Sequence, residues 1–289
     1  MRTTQRQEYA RRIEQALEEL RRGIAAGEPP SLEMLAARAA LSPFHFHRVF
    51  RLMTGESVGA AITRIRLAHA LPALEGPTLD EATARSGYAT TQAFARALKA
   101  QTGSSPSALR ADPEQRGLLA RMLADAPMDP TMRPALKISV SSTAPLQLVA
   151  IRNVGDYREL NRGYGRIFER VLGELPIEAI VGLYGVPHDD PRDTPAAACR
   201  FDCALQLAEA VTTDADLRSL VIDGGPCLAM EHAGDYDRIH EAIDALYLHA
   251  IDHGLTIGAG PLYIHYLDDP EQVPEAELRA VAYLPIAGD

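Results

Sequence analysis

The chain lacks most of what marks a secreted or membrane protein. Its 289 residues include three cysteines and no tryptophan. An odd handful of thiols in so long a chain does not make a disulfide framework. No apolar run approaches the roughly 18 residues that a membrane span needs. The opening residues, MRTTQRQEYARR, have no apolar core. No secretory leader is therefore expected, and the expected location is the cytoplasm. No Gly-rich phosphate loop and no nucleophile elbow is read. Positive charge is also short, with 29 Lys+Arg against 39 Asp+Glu, a net of −10. Taken whole, that balance argues against a partner as acidic as nucleic acid. What is present is ordinary for a globular chain, 46% hydrophobic and 24% charged. That excludes long disorder and suggests about two domains at roughly 150 residues each.

The charge deficit is local. Residues 1–110 carry 15 Lys+Arg and 10 Asp+Glu, a net of +5, and residues 111–289 carry 14 and 29, a net of −15. Such asymmetry points to one half that meets an anion and one that does not. Between the halves, residues 111–134 read as a linker. They hold Pro113, Pro127, Pro130 and Pro134, with a short helix at Glu114–Ala124 inside.

The basic half is patterned as helices. Tyr9, Ile13, Ala16, Leu17, Leu20 and Ile24 recur at helical spacing. A short helix begins after Ser31. After the break Ala40-Leu41-Ser42 comes a second, starting at Pro43, with Ser42 as its cap. Phe46, Val49, Phe50 and Met53 share its inner face. A long helix is expected from Ser57 to about Leu74, and then the plan repeats. Leu79–Arg85 is a short helix, Ser86-Gly87-Tyr88 a turn, and Thr90 opens the next helix, which turns Phe94 and Leu98 inward. This is the helix-turn-helix plan, twice.

The run SLEMLAARAALSPFHFHRVFRLMTGESVGAAITRIRLAHAL, followed by TLDEATARSGYATTQAFARALKAQTGSSPSALR, resembles the DNA-binding domain of the AraC/XylS family. The resemblance covers about residues 8–110. It implies two recognition helices entering major-groove segments one helical turn apart. Carried over, the first presents Pro43, Phe44, His47, Arg48 and Arg51, and the second Thr91, Gln92, Ala95, Arg96 and Lys99. The chemistry suits the role. Arg48 and Arg96 can bond guanine bidentately, Gln92 can do so to adenine, and Phe44 can meet a thymine methyl. Arg51 and Lys99 are placed to hold phosphate. Ala82-Thr83-Ala84 and Leu98 depart from the family's larger residues. A thinner core is thus expected in the second unit, and the first recognition helix is expected to dominate affinity.

The acidic half repeats itself at an offset of 79 residues. Gly155-Asp156-Tyr157 falls on Gly234-Asp235-Tyr236, Leu183-Tyr184 on Leu262-Tyr263, and Asp189-Asp190-Pro191 on Asp268-Asp269-Pro270. Each copy reads strand, strand, helix, strand, strand. The expected fold is multidomain: an all-α double helix-turn-helix domain, residues 1–110, then an α+β domain of two pseudo-symmetric ββαββ repeats, residues 135–289. In Gly-Asp-Tyr the Asp is expected to cap a helix, with Glu159 completing a capping box.

The segment LVAIRNVGDY, the Tyr-x-Val-Pro-x-Asp-Asp-Pro run and the closing Tyr-Leu-Pro-Ile resemble the GyrI-like effector-binding domain. That resemblance implies a mostly antiparallel sheet with a cleft for a small molecule. Candidate cleft residues are Tyr157, Tyr164, Phe168, Tyr184, Tyr236, Tyr247, Tyr263 and His265, whose aromatic walls can stack on a flat ligand. Drug-binding relatives carry a buried glutamate in the late strands. The matching positions are Ile264 and Val281, so a neutral or weakly polar ligand is expected.

The remaining constellations are weak. Cys199, Cys203 and Cys227, the pair His45/His47 and the pair His249/His253 do not make a metal set. No catalytic residue, metal or cofactor is expected. The reading is a transcription regulator whose partners are double-stranded DNA, a small-molecule effector and RNA polymerase, without a membrane. Two other readings stay open: an acidic domain that hydrolyses a small electrophile, or one that docks a basic protein.

Overall fold

The computed structural model describes residues 2–124 and 138–288. The chain divides into a helical unit and a sheet unit.

In the helical unit, capping residues set the helix boundaries. Helix α1, Arg2–Ala26, buries the expected stripe from Tyr9 to Ile24. α2, Leu32–Arg38, starts where Ser31 Oγ accepts from Met34 N–H. α3, Pro43–Thr54, starts on Ser42, which accepts from His45 N–H, and stops at Gly55 in the left-handed region, φ 76°. α4 is Val58–Ala70. The helix expected to reach Leu74 tightens instead to a 3₁₀ segment, Leu71–Glu75. Pro72 has no N–H to continue the α pattern. α5, Asp80–Ser86, and α6, Thr91–Thr102, repeat the α2–α3 plan, with Thr90 as cap and Gly103 as stop.

The unit extends past the expected boundary. α7, Pro106–Ala111, is followed by α8, Pro113–Ala124, and α8 packs on α4. Leu123 joins Leu67, Leu71, Leu74, Phe94, Leu98 and Leu109 in one core, with Leu119 and Ala120 against it. Buried Arg116 donates to the Leu109 carbonyl and to Glu75, while Arg64 pairs with Glu56 and donates to the Leu123 carbonyl. Residues 113–124 are therefore part of the helical unit rather than linker, because their apolar face and two arginines have partners there. Ala82 lies in that same core. Residues 125–134 of the expected linker lie outside the described residues.

The sheet unit has eight strands, all antiparallel: β1 Ile138–Thr143, β2 Leu146–Val154, β3 Ile180–Pro187, β4 Arg200–Leu207, β5 Leu217–Ile222, β6 Gly225–Ala233, β7 Tyr263–Tyr266 and β8 Arg279–Pro285. Helices α9, Leu160–Leu172, and α10, Ile239–His253, follow β2 and β6. The order is β1-β6-β8-β7-β3-β4-β2-β5. The repeat is thus real in space, but its first strands are exchanged. β1 pairs with β6 of the second copy and β5 with β2 of the first. Ala144-Pro145 between β1 and β2 offers no positive-φ residue for a tight hairpin. Asp223-Gly224 spells a hairpin signal, yet Gly224 lies against the other connector. A Cβ there would meet the Thr143 carbonyl oxygen at 2.5 Å and Pro145 N at 2.6 Å.

Both helices cover one face of the sheet, α9 on β2 and β4, α10 on β6 and β8. The other face is concave. Tyr263 Oη lies 3.3 Å from Thr143 Oγ1 although β8 and β6 stand between their strands. In a flat sheet three strand spacings are roughly 14 Å, beyond a tyrosine's reach.

Candidate functional site

The helical unit presents its two expected reading helices differently. On α6, Gln92, Arg96 and Lys99 are exposed, and Thr91 and Ala95 are half-buried. On α3, Pro43, His47 and Arg51 are half-buried, but Phe44 and Arg48 are buried. Arg48 is 2% exposed, with its guanidinium carbon 5.5 Å from the Phe44 ring centroid. This i, i+4 pair sets the cation against an aromatic face. Arg48 is therefore not on the solvated face that its helical position suggested. The string Gly55-Glu56-Ser57-Val58-Gly59 has the spelling of a nucleophile elbow, but it joins two helices. Ser57 Oγ accepts from Ala60 N–H at 3.0 Å as an ordinary cap.

In the sheet unit the eight aromatic candidates do not form one site. Tyr157, Tyr164 and Phe168 pack on the helix side against Ile167, Val171, Phe201 and Cys203. Tyr247 is buried on α10. Tyr157 Oη donates to the carbonyls of Asp189 (2.9 Å) and Arg200 (2.6 Å), and Tyr236 Oη to those of Asp268 (3.1 Å) and Arg279 (2.8 Å). Tyr164 Oη donates to the Tyr184 carbonyl at 2.8 Å. These hydroxyls are spent on the backbone.

The repeated motifs are fasteners of the fold. Asp189 accepts two bonds from the Arg200 side chain and Asp268 two from Arg279, each in the same place relative to its tyrosine. Asp156 and Asp235 do cap the short 3₁₀ turn ahead of each helix. Glu159 does not close a capping box but pairs with Arg162.

Tyr184, Tyr263 and His265 do share the concave face. Tyr184 stacks on His265 with ring centroids 4.4 Å apart and planes within 8°. Tyr263 stacks on Tyr283, 4.8 Å and 14°. Burial lowers the pKa of His265 and raises that of Tyr263 to about 12. Burial thus favours the uncharged form of the His265 ring, which stacks on Tyr184.

Beside this aromatic wall lies a polar cluster that the aromatic candidates left out. Asp202 on β4 is 1% exposed. Arg152 on β2 faces it across the ladder and bonds both its oxygens. Arg218 on β5 reaches it at 2.5 Å and His188 Nε2 at 2.7 Å. Burial alone would raise the Asp202 pKa; hydrogen bonds from His188, Arg152 and Arg218 outweigh it and hold the carboxyl well below its ordinary range. Arg152, Asp202 and Arg218 fall on one face of neighbouring strands, a neighbourhood that the exchange of β5 onto β2 creates.

Asp202 is committed to Arg152, His188 and Arg218. Cys203 alternates to the helix side, where burial pushes its thiol up to about 12. Cys199 and Cys227 are likewise buried. Among the described residues no three His, Cys, Asp or Glu side chains are grouped to hold a metal, and no helix is long and apolar enough to cross a membrane.

Comparison with known proteins agrees with this division. A helix-turn-helix domain matches residues 35–112, and a GyrI-like small molecule binding domain matches residues 137–287. The right origin-binding protein of Escherichia coli K12 is 37% identical over 90 residues, 30% of this chain and 31% of that protein. This chain thus spans about a third of the length of that relative. The probable transcriptional regulator YgiV of Escherichia coli O157:H7 is 28% identical over 106 residues, 36% of this chain and 66% of that one. The solved C-terminal domain of EcmrR is similar in fold, with a TM-score of 0.45 at 15% identity, over 54% of this chain and all of that domain. The chain belongs to the family of proteins with a GyrI-like small molecule binding domain, here behind a helix-turn-helix domain.

Proposed function

We propose that this protein is a one-component transcription regulator. The helical unit binds duplex DNA and the sheet unit senses a small molecule, with no catalytic step. The observation that carries the DNA half is the duplicated capped plan of α2–α3 and α5–α6, with Gln92, Arg96 and Lys99 exposed on the second reading helix. Relatives of the chain are named as an origin-binding protein and as a transcriptional regulator, which supports the reading. Arg96 and Gln92 read bases, while Lys99 and Arg51 hold phosphate. Arg48 and Phe44 belong to the first reading helix in the same proposal. The sensing half rests on the concave aromatic wall of Tyr184, Tyr263 and His265. A ligand alters DNA binding only through different affinity for DNA-competent and incompetent states. Contact with RNA polymerase belongs to the same proposal, as does action in the cytoplasm.

The test is genomic footprinting with the purified chain, followed by a compound screen scored on operator affinity at fixed salt. Discrete protected sites whose occupancy changes with a compound are expected. Uniform, sequence-blind protection would overturn the reading.

A further inference from the structure

The polar cluster of the sheet unit is not demanded by the fold. At the offset of 79 residues the fasteners are the same in both repeats: Tyr157 and Tyr236, Asp189 and Asp268, Arg200 and Arg279. The cluster positions are not. Arg152 corresponds to Glu231, His188 to Leu267, Asp202 to Val281 and Arg218 to Ser139. The second copy builds the same strands with none of this chemistry. Burying an ion cluster rarely adds stability over apolar packing of the same volume, so its presence in one copy asks for another reason.

Its charge is also unbalanced. One carboxylate meets two guanidiniums, leaving one positive charge before His188 is counted. Asp202 is enclosed, while the side chains of Arg152, Arg218 and His188 remain 36%, 35% and 30% exposed. Both arginine side chains lie on the concave side by strand alternation and keep part of their surface open there. Val186 stands next to Asp202 in the ladder and packs in the same cluster as Tyr184 and Tyr263.

We propose that Arg152, Arg218 and His188, held in place by Asp202, form an anion subsite, and that the ligand is a flat aromatic acid whose ring lies along Tyr184 and Tyr263. Asp202 is a positioning residue: it fixes both guanidinium planes, so a carboxylate meets preset donors. The same chemistry disfavours the organic cations that a single buried acid would attract. The inference rests on the sheet unit being the ligand-binding half.

The experiment is titration of the full-length chain with 2-naphthoate and with its neutral isostere 2-naphthamide. The chain has no tryptophan to overlap naphthalene emission. The acid is expected to bind at least tenfold tighter than the amide. Arg218→Ser, which copies the residue of the other repeat, is expected to abolish that preference while circular dichroism stays unchanged. Arg152→Gln is expected to do the same. Equal affinity for acid and amide, no binding of the acid, or a preference that survives both substitutions would overturn the subsite. The sensing reading outlives that result if another compound shifts the DNA affinity of the full chain, and falls with it if none does.

Discussion

A carboxylate with 1% of its surface in water keeps its charge only if partners meet it in place. Asp202 has three, and its folded pKa is depressed well below the unfolded value of about 4. A depressed acid adds stability above the unfolded pKa, and that stability is lost as pH falls toward the folded value. Asp202→Asn should cost about 2 kcal/mol at pH 7, less than for a fully buried pair because both arginines are partly solvated. The difference in urea midpoints should begin to close only below about pH 4. A difference that stays constant into strong acid would show that ionic pairing is not its source. At the DNA end, Arg96→Ala should lose roughly 1–3 kcal/mol of specific binding without changing the melting temperature, since Arg96 is exposed. Arg48→Ala should lower the melting temperature as well, because Arg48 is packed on Phe44. Thermal melts alongside operator titrations separate the two. Helical spacing turns both arginines outward, and in the structure Arg96 is exposed while Arg48 is buried. Spacing gives the direction of a side chain around its helix, not what else covers that direction.

Single helices and strands show the same division. Helix starts were legible because Ser31, Ser42, Ser57 and Thr90 are local caps whose hydroxyls accept from a backbone N–H three residues on. The pairing of β1 with β6 was not, because a two-residue connector normally signals a hairpin. The exchange depends on two connectors crossing at Gly224. Gly224→Ala should therefore lower the stability of the sheet unit by about 1–3 kcal/mol, since the added methyl meets backbone that cannot step aside. Unfolding followed by β-sheet circular dichroism reads this; an unchanged midpoint would mean that the connectors part easily. α8 was foreseen as a helix but not as part of the core. Its tie runs through Leu123 and Arg116 to residues far back in the chain. A fragment ending at residue 124 should melt several degrees above one ending at 112.

Over the whole molecule, the net charge of −10 hides a basic helical half and an acidic sheet half. Like charges repel, so the sheet half should contribute nothing to DNA affinity. A fragment of residues 1–124 should bind nonspecific DNA at least as tightly as the full chain, and both should weaken steeply with salt. Tighter binding by the full chain at every salt concentration would count against this. The charge split, the doubled helical plan and the 79-residue repeat were all fixed by sequence, because local caps, periodicity and duplication are properties of short segments. Which aromatic side chains share a face, which strands exchange, and which carboxylate gathers two arginines were decided only in three dimensions. Those outcomes depend on the pairing of strands far apart in the chain, which sets Arg152 beside Arg218, and on a curved sheet that brings Tyr263 to Thr143.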